Sequence, residues 1–283
     1  MGDGYDGGLL AIDGVESATT ERGVNLPHHA VKQTSDDGER VRRGRPMTEA
    51  EWLPATDPKL MLEFLRGKAS DRKLRLFACA CCRRIWDFIT REESRRAVEI
   101  TEQSADGPVA AEVLAMIDFD SISDDCGPPE EPYRTAYMVA GNVGYNVFGH
   151  CEGVPHFEEF DIAKNTAETT VMSVGLSRSQ KKRSHSNAYQ AGEKAERVAQ
   201  TILLRDIFGN PFRKVTLNPA WLTSTVLALA TGIYDERAFD RMPILADALQ
   251  DAGCDNAEIL NHCREPGEHV KGCWVVDLLL DKK

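Results

Sequence analysis

The spacing of apolar positions is the strongest pattern in the chain, and it is helical almost throughout. After Ser70, the residues Leu74, Phe77, Ala78, Cys81, Ile85 and Phe88 recur at three- and four-residue intervals, the stripe of a helix with one buried face. Similar patterns predict helices over 92–105, 133–148, 157–174, 187–208, 223–233, 243–252, 255–264 and 269–280. Local chemistry marks several of their ends. Thr48 with Glu51 forms a capping-box pair, Asp57-Pro58 places a capping carboxylate before a proline at the first helical position, and Gly67 and Gly253 stand where helices stop. Asp255 reads as the cap of the helix after Gly253. Small residues at Ala163, Ala167, Ala188, Ala191, Ala195 and Ala199 suit two closely packed helices. Gly175–Ser186, with Arg178, Lys181, Lys182 and Arg183, reads as an exposed basic linker between them. Alternation of the kind a strand needs is confined to Lys214–Leu217. The expected fold class is all-α, an irregular helical bundle over 47–207 with a C-terminal helical unit over 218–281. Residues 1–46, rich in Gly, Asp and Arg and without periodicity, are expected to be a disordered extension.

Composition and charge narrow the setting. The 283 residues carry a formal charge of −11, which opposes general binding to nucleic acid. The most apolar stretch, Trp274–Leu280, is far shorter than a membrane span requires and contains Asp277. The first residues have neither the basic nor the apolar region of a secretory leader. A cytoplasmic protein with a protein partner, no nucleic-acid partner and no membrane is therefore expected. The eight cysteines are then reduced thiols.

Several motifs invite chemistry. Gly2-Asp3-Gly4-Tyr5-Asp6-Gly7 has dinucleotide-loop spacing but lacks the flanking strand and helix that give it meaning. Cys79 and Cys82 form a C-x-x-C within a helix, where thiols pack as small apolar groups. His150 and Cys151 are adjacent, which does not bring their side chains together. The C-terminal unit holds a denser set: Cys254, His262, His269 and Cys273, with Cys263 as an alternative to His262. These are zinc-ligand types, and His269 and Cys273 would share a face if 269–280 is helical. Their spacing matches no common zinc signature. Residues 66–96 contain ten basic and four acidic residues, a local balance of +6. Arg72, Arg83 and Arg84 fall off the buried stripe and form a candidate patch for an acidic partner or nucleic acid. The plainer expectation is that they face solvent or pair with carboxylates of the same chain.

Two segments resemble a known family. Met47–Leu53 with Phe64–Cys79, and later Leu204–Arg213, Tyr234–Arg237 and Ile244–Leu249 through Trp274, are similar to a multi-copy family of bacterial proteins without assigned activity. The resemblance covers about residues 47–280 and implies no catalytic residues. The leading functional expectation is a non-enzymatic interaction or scaffold module. The rivals are an enzyme whose site is assembled from distant residues, and a zinc-stabilised helical binding module.

Overall fold

The computed structural model describes residues 47–114, 158–180 and 185–283. The expectations for residues 1–46, the helix 133–148 and the His150–Cys151 pair lie outside them. The described helices are α1 (Glu49–Trp52), α2 (Pro58–Leu65), α3 (Asp71–Arg84), α4 (Glu92–Ser104), α5 (Ala111–Leu114), α6 (Glu159–Gln180), α7 (His185–Phe208), α8 (Ser224–Glu236), α9 (Met242–Asp251), α10 (Ala257–Arg264) and α11 (Trp274–Leu279). Short 3-10 turns punctuate them, and no strand occurs among the described residues. The fold class is all-α.

Two apolar cores organise the described residues. The first is built on α3, α2, α6 and α7 and includes Trp52, Phe77, Leu203 and Ile207. The second is built on α8 to α11 and includes Trp221, Ile233, Leu245 and Val276. Helix α3 is buried on more than its predicted stripe: Leu76, Cys79, Ala80 and Cys82 are also enclosed. Its basic residues sit at its two ends, so an apolar centre can be surrounded on all sides while the charges reach outward.

The predicted linker at 175–186 is in large part helix, since α6 continues to Gln180 and α7 begins at His185. Gly175 is not a breaker here. A Cβ at Gly175 would meet the Tyr189 ring at 2.9 Å, and one at Gly192 would meet the Val174 carbonyl oxygen at 3.0 Å. Glycine at these sites lets α6 and α7 touch backbone to backbone. Gln200 donates to the Ala167 carbonyl at 3.0 Å. Pairing of 175 with 192 and of 167 with 200 makes the two helices antiparallel.

Two C-terminal boundaries also differ from expectation. Asn256, not Asp255, caps α10, its side chain accepting from the Glu258 and Ile259 N–H groups at 3.0 and 3.1 Å. Helix α11 begins at Trp274 rather than His269. Gly272 has φ 97°, a left-handed conformation that glycine adopts at little cost, and Cys273 N–H closes a turn on the Val270 carbonyl at 2.9 Å. Residues 265–273 are thus an irregular loop laid along the seam between the two cores.

Candidate metal centre

Four donors meet where α7 faces this loop. Helix α7 buries Leu203, Leu204 and Ile207 in the first core, which turns Asp206 toward the second. Helix α10 buries Ile259 and Cys263, leaving His262 on the seam. The loop supplies His269, and the turn at Gly272 brings in Cys273 as the first residue before α11.

The donor atoms of Asp206, His262, His269 and Cys273 all lie within 4.8 Å of one another. His262 Nε2 is 3.1 Å from Cys273 Sγ and 3.1 Å from Asp206 Oδ1. His269 Nδ1 is 2.6 Å from the same carboxylate oxygen and 4.0 Å from the sulfur. Tetrahedral zinc with ordinary bond lengths separates its ligand atoms by roughly 3.3–3.8 Å, so small side-chain adjustments suffice to seat an ion. Each histidine also presents one and the same nitrogen to both the acid and the thiol. A nucleophile–base–acid relay instead uses the two opposite nitrogens of an imidazole. Four atoms of metal-ligand type meet at one point, an arrangement that could hold a cation.

The surroundings hold this arrangement in place. The Val270 N–H donates to Asp206 Oδ2 at 2.9 Å, which fixes the carboxylate and leaves Oδ1 toward the centre. The His262 ring packs edge-on to His269 at 4.9 Å and lies 5.2 Å from Trp274. Trp274 rests on Gly209, where an added Cβ would meet the indole at 3.1 Å. Side-chain exposure is 18% for His262, 9% for His269 and 3% for Asp206, and Cys273 is buried.

Burial acts on the two acids in opposite ways. Burial by itself raises the Asp206 carboxyl, but hydrogen bonds and charge from His262 and His269 outweigh it and hold the group below the usual carboxylate range. Burial pushes the Cys273 thiol well above its ordinary value, and the nearby Asp206 adds to the effect. A bound cation reverses that balance and stabilises the thiolate.

Of the sequence candidates, His262, His269 and Cys273 are brought together. Cys254 is not: it follows the left-handed Gly253, donates its N–H to the Leu249 carbonyl at 2.9 Å, and is buried in the second core. Asp206 takes its place in the set. A carboxylate between the buried Leu203, Leu204 and Ile207 is the one sign in the sequence that pointed to it, since an acid is seldom buried without a partner. Cys263 is buried too, and burial pushes its thiol up to about 12. Cys79 and Cys82 are fully enclosed in α3, both thiols raised by burial, in keeping with packing rather than redox exchange.

The arginine candidates are engaged within the chain. Arg72 grips Asp277 through both guanidinium ends, at 2.7 and 3.1 Å, and donates to the Tyr234 hydroxyl at 2.9 Å. Arg83 pairs with Glu102 at 2.8 Å and lies 4.0 Å over the Trp86 ring. Arg84 grips Glu196 at 2.9 and 3.1 Å and also meets Glu268. Each of the three is thus paired with a carboxylate of the same chain.

Comparisons with protein-family models, with curated proteins and with solved structures give no match for this chain. No helix among the described residues is long and apolar enough to cross a membrane.

Proposed function

We propose that this protein is a zinc-stabilised helical binding module, in which Asp206, His262, His269 and Cys273 hold one Zn²⁺. The observation that carries the reading is the convergence of four donors through single atoms at a buried point. One thiolate, one carboxylate and two neutral imidazoles balance the two positive charges of the ion. The mixed nitrogen, sulfur and oxygen set suits zinc better than the hard cations, which prefer all-oxygen shells. Four protein ligands fill a tetrahedron, so the ion has no open position for water or substrate; this supports a structural role over metal-dependent hydrolysis. The ion would tie α7 of the first core to the loop and helix of the second.

Metal analysis of the purified full chain tests this. One zinc per chain is expected, retained through gel filtration and lost in His262→Ala and in Cys273→Ala. Cobalt substitution should give tetrahedral visible bands with a thiolate charge-transfer band that disappears in Cys273→Ala. A folded chain that takes up no stoichiometric zinc or cobalt overturns the proposal.

A further inference from the structure

Beside the metal centre the seam opens into a cleft of about 520 Å³, within the range that holds small organic ligands. Trp52, Phe208 and Trp274 give it an apolar lining, and Lys73 and Arg205 stand in its wall. Lys73 spends one of its three donors on the Ile207 carbonyl at 2.6 Å. Arg205 donates to the carbonyls of Thr201 at 3.2 Å and Ala55 at 2.5 Å, and its Nε is buried without an acceptor. Neither cation forms an ion pair with a described carboxylate.

The other charges lining the cleft are mostly committed. Asp277 is gripped by Arg72, Glu258 is paired with Arg213 at 3.0 Å, and Lys282 is paired with Asp106 at 3.0 Å. That leaves two partly buried cations facing an apolar hollow, with exposed Glu265 at its rim. Burial disfavours the charge of both cations, and for Lys73 nearby Asp277 and Asp206 offset it only in part; a bound anion would relieve the cost that remains.

We infer that this cleft binds a small organic oxyanion, its apolar body against Trp274 and Phe208 and its carboxylate or phosphate on Lys73 and Arg205. Carboxylates and phosphates share the acceptor chemistry these donors need. The aromatic lining favours a flat hydrocarbon portion over a bare inorganic ion. The inference goes beyond the metal reading: His262 lines the cleft too, but Lys73 and Arg205, which would hold the anion, are not among the metal donors.

Calorimetric titration of the full, zinc-loaded chain with benzoate, phenyl phosphate and neutral benzamide tests it. Both anions should saturate, and benzamide should bind at least about tenfold more weakly, the usual scale for a charge-assisted hydrogen bond. The tighter of the two anions identifies the head group. Lys73→Met should weaken the anions by a similar factor and leave benzamide unchanged. Absence of saturation by either anion, or benzamide binding as tightly as benzoate, overturns the inference; that comparison stands on the wild-type chain even if Lys73→Met fails to fold. Zinc content measured on the same samples separates failure of the cleft from failure of the metal centre.

Discussion

Arg72 and Asp277 meet across the seam between the two cores much as Asp206 meets His262 and His269, yet the two clusters balance their charge differently. In the first, a guanidinium faces a carboxylate in two-point contact, and Tyr234 links the pair to Asp106 at 2.5 Å. Lys271 and Lys282 close the set on Asp106, each at 3.0 Å. Every strong donor there has an acceptor from the same chain. In the second, an acid, a thiol and two imidazoles point inward at one place, while Lys73, which feels the charge of Asp206 and Cys273, donates to the Ile207 carbonyl instead. A self-neutralised cluster joins the cores by itself. A cluster of ligand atoms could hold a cation. The contrast teaches that burial and polarity do not identify a site; the sign of what is missing does.

The largest effect expected is on the second cluster. If zinc occupies it, a strong chelator should remove roughly 4 kcal/mol or more of stability, the linkage expected when free ion exceeds its dissociation constant about a thousandfold. For a chain of this size that lowers Tm by about 10 °C, and added zinc should restore it in a thermal melt. An unchanged melt would place both clusters in the self-sufficient class.

Breaking the first cluster should cost nearly as much, without any dependence on metal. Arg72→Met leaves Asp277 buried and unpaired, a loss of about 3–5 kcal/mol. Combining it with Asp277→Leu should recover most of that loss, because replacing both partners removes the stranded charge. Urea titrations of the two single variants and the double variant measure the coupling. A double variant no better than the singles would show that neighbouring groups, not the pair, carry the seam.

A smaller effect follows from Asp106. Burial opposes its ionisation, but bonds from Tyr234, Lys271 and Lys282 win and hold its carboxyl down at about 2. A depressed folded-state value stabilises the fold above the unfolded carboxyl range and loses that contribution as pH falls from about 4 toward 2. Because Asp106 is partly exposed, the effect is discounted to about 1 kcal/mol. Asp106→Asn should flatten that acid limb in urea midpoints taken across the pH range, and an unaltered limb would remove Asp106 from the balance.

The smallest effect is a rate. Cys79, Cys81 and Cys82 are enclosed by helices and should react slowly with a thiol reagent whether or not metal is present. Cys273 should be labelled more slowly in the zinc-loaded chain than after chelation, as read by mass spectrometry. Equal labelling of Cys273 before and after chelation would argue that no ion shields it.

Much of the helical architecture is legible along the chain, because caps and apolar spacing are local. Ser70 does cap α3, its hydroxyl accepting from the Lys73 N–H at 3.4 Å, and Asp57 caps α2, accepting from the Lys59 N–H at 3.0 Å. The donor types in the C-terminal unit are equally visible, since Cys and His crowd a short stretch. Asp206 is hard to find because its partner His269 lies 63 residues further on. Cys254 is overcalled because ligand chemistry alone does not say which way a side chain turns after a left-handed glycine.

By itself, then, the order of residues determined that this chain is helical, where most of its described helices begin, and that its C-terminal part carries Cys and His side chains of the type that ligate metals. Tertiary structure alone decided that Gly175 and Gly192 serve a close helix contact rather than a break, since a glycine's role depends on what lies opposite its missing Cβ. It decided which carboxylate each arginine takes, because the candidates for Arg84 include Glu196 and Glu268, 112 and 184 residues away. And it decided the donor set, because four single atoms converge only when α7, α10 and the loop before α11 are packed together around one point.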